Sequence, residues 1–128
     1  MFARGISGKW DAATSGGRPS GNKYALNPTV ELVLPLAATV QARLYLPHPA
    51  PVPINVTVFK RAQAGGIGEQ VATSGPYVEA TSGVAVPRTK LAAGVYLVIP
   101  STFESGMFAE WNLDVWADKT CTVELARK

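Results

Sequence analysis

At 128 residues, with 12 basic and 9 acidic side chains and a formal net charge of +3, the chain has the length of one domain. Its single cysteine excludes an internal disulfide, and one cysteine with one histidine falls short of a zinc ligand set. No apolar run reaches the ~20 residues of a membrane-spanning helix, no signal-peptide core opens the chain, and so mild a basic excess does not require nucleic acid. The sequence therefore reads as soluble and cytoplasmic, and its lone thiol fits a reducing compartment.

Residues 1–6 show no strand pattern and read as a flexible tail, which leaves 7–128 as a single domain. A Gly- and Ser-rich stretch, 11–28, reads as a long loop. "TVELVL" (29–34) then puts Val30, Leu32 and Leu34 on one face. "TVQARLYL" (39–46) puts Val40, Ala42, Leu44 and Leu46 inward, with Gln41, Arg43 and Tyr45 outward. The proline run "LPHPAPVP" (46–53) favours extended geometry and cannot pair as a central strand. "INVTVFK" (54–60) returns to alternation with Ile54, Val56 and Val58. "GVYLVI" (94–99) is apolar on both faces and reads as a buried strand that stops at Pro100. "EWNLDVWA" (110–117) aligns Trp111, Leu113 and Val115, and "CTVEL" (121–125) aligns Cys121, Val123 and Leu125. No segment holds a helical period over three turns. "ELVLPLAATVQARL" comes nearest, and Pro35 breaks it. Many short period-two strands between turn signals predict an all-β antiparallel sandwich or barrel.

Catalytic chemistry finds little support. His48 lies in the proline run, and Cys121 is in phase with core residues, where a thiol behaves as a small inert hydrophobe. Ser101 and Ser105 lack a nucleophile-elbow context. The acids are scattered, with Glu104 and Asp118 near loops at opposite ends of one predicted strand, so no loop gathers a calcium ligand set. "GGIGEQ" (65–70) has no following lysine or helix to cradle a phosphate. No cofactor and no metal are expected, and this chain is not expected to be an enzyme.

Small basic clusters occur at Lys60-Arg61, at Arg88 and Lys90, and at Arg127-Lys128. Scattered over different faces they are solvated loop charges; gathered on one face they form a patch for an acidic partner or anionic lipid. Trp10 and Trp111 suit a sandwich core. Trp116 falls on the polar face of its strand, either covered by the 11–28 loop or exposed as a partner anchor. Tyr45 and Phe59 are also out of phase with the core and are candidates for that second face.

The sequence contains Gly8-Lys9-Trp10, then Thr14-Ser15-Gly16-Gly17, then Asn27-Pro28 before a strand. Further on it has Gly94 and Tyr96, then Pro100-Ser101-Thr102-Phe103, then an aromatic-rich strand. This ordered set, across residues ~8 to 117, resembles domain III of calpains. The resemblance implies a C2-like antiparallel β-sandwich of about eight strands. It implies a regulatory module of a cysteine protease whose catalytic machinery lies in another domain, one that docks on the protease core or a protein partner. In some members the domain binds phospholipid or calcium. The acidic loop of conventional calpains has no counterpart here, and the end of the chain shows no EF-hand pattern. That is more like the PalB-type calpains, which associate with endosomal sorting machinery.

On this reading Lys60, Arg61, Arg88, Lys90 and Trp116 are the candidate contacts to a partner or to anionic phospholipid. The second alternative adds a peripheral place at membranes. A monomer is expected. Pro100, Ser101, Thr102 and Phe103 form a structural turn: Pro100 ends the ladder, the two hydroxyls bond turn amides, and Phe103 plugs the end of the sandwich. A plug of that kind would make Phe103→Ala cost ~3–5 kcal/mol.

Overall fold

In a computed structural model, residues 2–19, 23–47, 52–79 and 83–125 are described. They form nine strands: β1 (Phe2–Trp10), β2 (Val30–Leu34), β3 (Ala38–Tyr45), β4 (Ile54–Arg61), β5 (Ile67–Thr73), β6 (Val84–Leu91), β7 (Gly94–Thr102), β8 (Ala109–Ala117) and β9 (Thr122–Leu125). One 3-10 turn, Tyr24–Leu26, lies between β1 and β2. All pairings are antiparallel, in a four-stranded sheet of order β1-β8-β3-β6 and a five-stranded sheet of order β5-β4-β7-β2-β9.

Alternation builds the two layers. The inward set of β3, Ala42 and Leu44 among it, meets Leu113 and Val115 of β8 within one sheet, and these face Val30, Leu32, Ile54, Val56 and Val98 of the other. Trp10 and Trp111 fill one end of this core with ring centroids 6.3 Å apart. β1 reaches Trp111 closely because position 8 is glycine: a Cβ there would lie 2.6 Å from the indole ring. β7 is apolar on both faces because both are covered. Val98 faces the main core, while Ile99 packs outward with Tyr24 and Phe59.

Several expectations need correction. Residues 2–6 are not a tail: they pair continuously with Leu113–Ala117 of β8. Their pattern is obscured because only Ile6, Gly8 and Trp10 pack inward, and one of these is a glycine. The all-β antiparallel sandwich itself stands as expected, its nine strands matching the eight or so anticipated. β5 and β6 are edge strands whose Gly68 and Pro87 dilute the alternation. Phe59 lies on the five-stranded sheet, away from Tyr45 and Trp116 on the other. His48 and Arg127-Lys128 lie outside the described residues.

Pro100 does not end its ladder. It sits inside β7 opposite Val56, whose own N–H and C=O turn the other way to bond Ser74 of the segment after β5. The pair Val56–Pro100 thus exchanges no hydrogen bonds. On Pro100's other side β2 has already ended at the pair Val30–Val98, so no ladder bond is lost by the missing N–H. The freed carbonyl of Pro100 accepts from Trp10 Nε1 at 3.2 Å.

Candidate functional site

The register sorts the singled-out residues onto two opposite ends of the sandwich. At one end lie the start of β4, the end of β7 and the Phe103 turn. At the other end lie the end of β4, the β2–β3 and β6–β7 connections and the end of β8.

At the second end, Lys60 faces Tyr96 near the start of β7, and Arg61 faces Ile67 at the start of β5. Lys90 faces Thr39 near the start of β3, and Arg88 lies in the irregular stretch opposite Gln41. Gln41 in turn faces Trp116 near the end of β8. The four cations are exposed, and β6 contacts β4 and β5 across the two layers, so both basic clusters lie at the same end of the sandwich, Lys60 and Arg61 on the five-stranded sheet and Arg88 and Lys90 on the four-stranded one. Trp116 is half-buried in a groove of about 170 Å³ lined also by Thr39, Val40, Gln41, Arg88 and Asp118. Asp118 closes the base of this groove: its Oδ1 accepts from the Thr39 N–H at 2.8 Å, and its own N–H donates to the Thr39 carbonyl at 3.2 Å. The described part of the 11–28 loop does not cover Trp116; it packs at the opposite end, against Phe103–Ser105. Exposed Leu36, in the β2–β3 connection, adds an apolar tip to the basic end.

The Phe103 end has a different chemistry. Ser101 is buried and shares a 2.6 Å hydrogen bond with the Tyr77 hydroxyl, and Thr102 Oγ1 donates to the Glu104 carbonyl at 2.8 Å. Neither hydroxyl bonds a turn N–H: Ser101 turns to Tyr77 of another segment, and Thr102 donates to a carbonyl of the turn instead. Phe103 is not a buried plug either. It is 40% exposed, with its ring edge-on to Tyr77 at 5.6 Å and the Arg18 guanidinium 4.2 Å from its centroid. Its carbonyl accepts from the Arg18 backbone N–H and Nη1 at 3.2 and 3.1 Å. Arg18 and Tyr77 carry no sequence signal for this role. Only the Gly16-Gly17 pair hints at it, since Gly17 has φ +78° and lies tight against the Ser105 backbone.

Beside this stack, Asn55, Thr57 and Thr73 form a hydrogen-bonded cluster on the outer face of the five-stranded sheet. The Tyr24 hydroxyl is buried there without a hydrogen-bond partner among the described residues. Desolvation, and secondarily the nearby Tyr77, push its pKa far above the ordinary tyrosine value. The Thr57 and Ser101 hydroxyls temper that rise, yet neither reaches bonding geometry with the phenol. Burial likewise raises Tyr77, opposed by its bond to Ser101.

Cys121 is buried at the start of the last strand segment. Among the described residues no three His, Cys, Asp or Glu side chains are grouped to hold a metal, and no helix is long and apolar enough to cross a membrane.

No family model matches the sequence. It is 49% identical over 125 residues, 98% of this chain, to the calpain-like protease palB/RIM13 of Cryptococcus neoformans var. neoformans serotype D. It is 29% identical over 122 residues, 92% of this chain, to the calpain-like protease palB of Emericella nidulans. The chain spans 15% of the first protein's length and 14% of the second's. With that identity along nearly its whole length, the chain is homologous to a segment of the calpain-like proteases palB/RIM13, and its two packed antiparallel sheets are consistent with a β-sandwich of the calpain domain III type.

Proposed function

We propose that this chain is a non-catalytic docking module of a calpain-like cysteine protease, and that its basic end contacts an acidic surface of the protease core or of a protein partner. The observation that carries this reading is the convergence of Lys60, Arg61, Arg88 and Lys90 with the Trp116 groove on one end of the sandwich. A half-buried tryptophan beside a guanidinium is the composition of an interface anchor, and the cations around it steer an acidic partner. The parent's proteolysis, and its association with endosomal sorting machinery, belong to this proposal.

The test is calorimetric titration of the purified chain with the protease core of the Cryptococcus neoformans relative. Combined reversal of Lys60, Arg61, Arg88 and Lys90 to glutamate should weaken binding more than tenfold while leaving the melting temperature unchanged. Equal affinity of the reversed variant would sink the reading.

A second reading has its own support. Leu36 is 56% exposed at the same basic end, an apolar tip beside cations that suits an anionic bilayer surface. Each cation there contributes ~1 kcal/mol at such a surface. Co-sedimentation with phosphatidylserine vesicles that added salt abolishes would favour this reading. Absence of vesicle binding alongside core binding would favour docking.

A further inference from the structure

The four-stranded sheet ends in an open edge at β1, and its hydrogen-bond phase follows from its neighbours. Asp118 N–H donates to Thr39 O, so the even-numbered residues of β8 turn their backbone groups toward β3. The odd-numbered ones therefore bond β1, through Phe2, Arg4, Ile6, Gly8 and Trp10. Ala3, Gly5, Ser7 and Lys9 must then point their N–H and C=O away from the sheet. Two side-chain bonds agree. The Ala3 carbonyl accepts from Arg4 Nη1 at 3.0 Å, and the Lys9 carbonyl accepts from Thr14 Oγ1 at 3.2 Å. The carbonyls at both ends of the edge are thus taken, and although β9 of the facing sheet approaches β1, the N–H and C=O of Gly5 and Ser7 have no hydrogen-bond partner among the described residues.

The other edges of the described sandwich are protected. β6 carries Pro87 and a register shift, β5 is paired through two irregularities, and β9 has four residues. β1 is nine residues long, regular throughout, and free of proline.

We infer that a second copy of this chain pairs with β1, antiparallel about a two-fold axis through Ile6. The sequence of β1 is self-complementary in that register. Gly5 of one copy faces Ser7 of the other, and each such pair exchanges both backbone hydrogen bonds. Ile6 meets its own counterpart in a close, non-hydrogen-bonded pair, where β-branched side chains interact best. Arg4 falls opposite Gly8 and Lys9 opposite Ala3, so each cation meets a small neutral residue. Arg4 and Lys9 also lie on opposite faces of the sheet, which keeps like charges apart. The product is a continuous eight-stranded sheet across two molecules. A single strand pairing covers less than the ~1,200–2,000 Å² of a stable complex, so the dimer is weak, and the expected monomer is its dissociated state.

Sedimentation equilibrium of the chain tests this. The average mass should climb from 13.5 kDa toward twice that value between roughly 10 μM and 1 mM. Ser7→Pro removes an outward N–H without touching the β1–β8 ladder and should leave the mass at the monomer value throughout, whereas Ser7→Ala should dimerise as the parent does. Amide hydrogen exchange of the unaltered chain gives a second readout should the proline variant misfold: protection at Gly5 and Ser7 must rise with concentration. A monomeric mass at 1 mM, or exchange at these amides that ignores concentration, overturns the proposal.

Discussion

Truncating Phe103 to alanine measures what the aromatic in the turn contributes. A fully buried phenylalanine costs ~3–5 kcal/mol on truncation, but Phe103 is 40% exposed, so roughly three-fifths of that burial is at stake. The edge-on contact to Tyr77 and the Arg18 guanidinium over the ring belong to the same loss, each worth on the order of 1 kcal/mol. With these contacts counted inside it, three-fifths of that cost places Phe103→Ala at about 2–3 kcal/mol, below the value for a core plug. With a urea slope of about 2 kcal/mol per molar, the midpoint should fall by about 1–1.5 M. Phe103→Leu keeps apolar bulk while removing the π-face, and should lose about half as much. The two variants therefore separate packing from the aromatic and cationic contacts. An unchanged midpoint for Phe103→Ala would refute the view that the stack holds the 11–28 loop against the sandwich. A loss above about 4 kcal/mol would show instead that the ring is buried in solution.

Tyr24→Phe removes a buried hydroxyl that has no hydrogen-bond partner among the described residues and should therefore leave stability unchanged or raise it in a urea melt; a clear loss would reveal a hidden partner. Tyr24 and Tyr77 both have pKa values raised above the ordinary 10.0 in the folded state. The unfolded chain therefore releases these protons first, and stability should be full below pH 10 and decline as pH rises beyond it. A urea midpoint that stays level from pH 9 to 11.5 would contradict the burial of these phenols. Cys121 is buried and should resist a thiol reagent until urea unfolds the chain, and Cys121→Ser should cost ~1–3 kcal/mol through a desolvated hydroxyl; rapid labelling of the folded protein would show the strand to be misplaced.

Much of the sandwich was legible because burial imposes period two. The inward residues of β2, β3, β4 and β8 were all identifiable from alternation alone. β1 was not, because an edge strand with a glycine at an inward position and an exposed Phe2 and Arg4 carries no contrast between its faces. Pro100 misled for a related reason. A proline is compatible with a strand wherever its nitrogen faces a side that has no neighbour, and only the full pairing shows where β2 stops. The cationic residues were nameable from sequence, but their meeting at one end depends on register between strands far apart in the chain. The Arg18–Phe103–Tyr77 stack is farther still from local pattern, since its members come from three separate segments and meet through side chains alone.

The strand order also governs when the domain can form as it leaves the ribosome. In the two sheets the sole hydrogen-bonded neighbours that are also consecutive in the chain are β4 and β5. β1 pairs with β8, and β2 pairs with β7 and β9. At ~5–20 residues per second, the first strand waits roughly 5–20 s for the segment that completes its ladder. Through that interval Trp10 and the β2 leucines have no sheet to enter. Contacts so remote in sequence place the folding of the finished chain in the millisecond-to-second range typical of β-sandwiches. The β4–β5 hairpin is the one element able to form early by local closure, so truncations that end before β8 would leave an aggregation-prone remainder rather than a smaller stable domain.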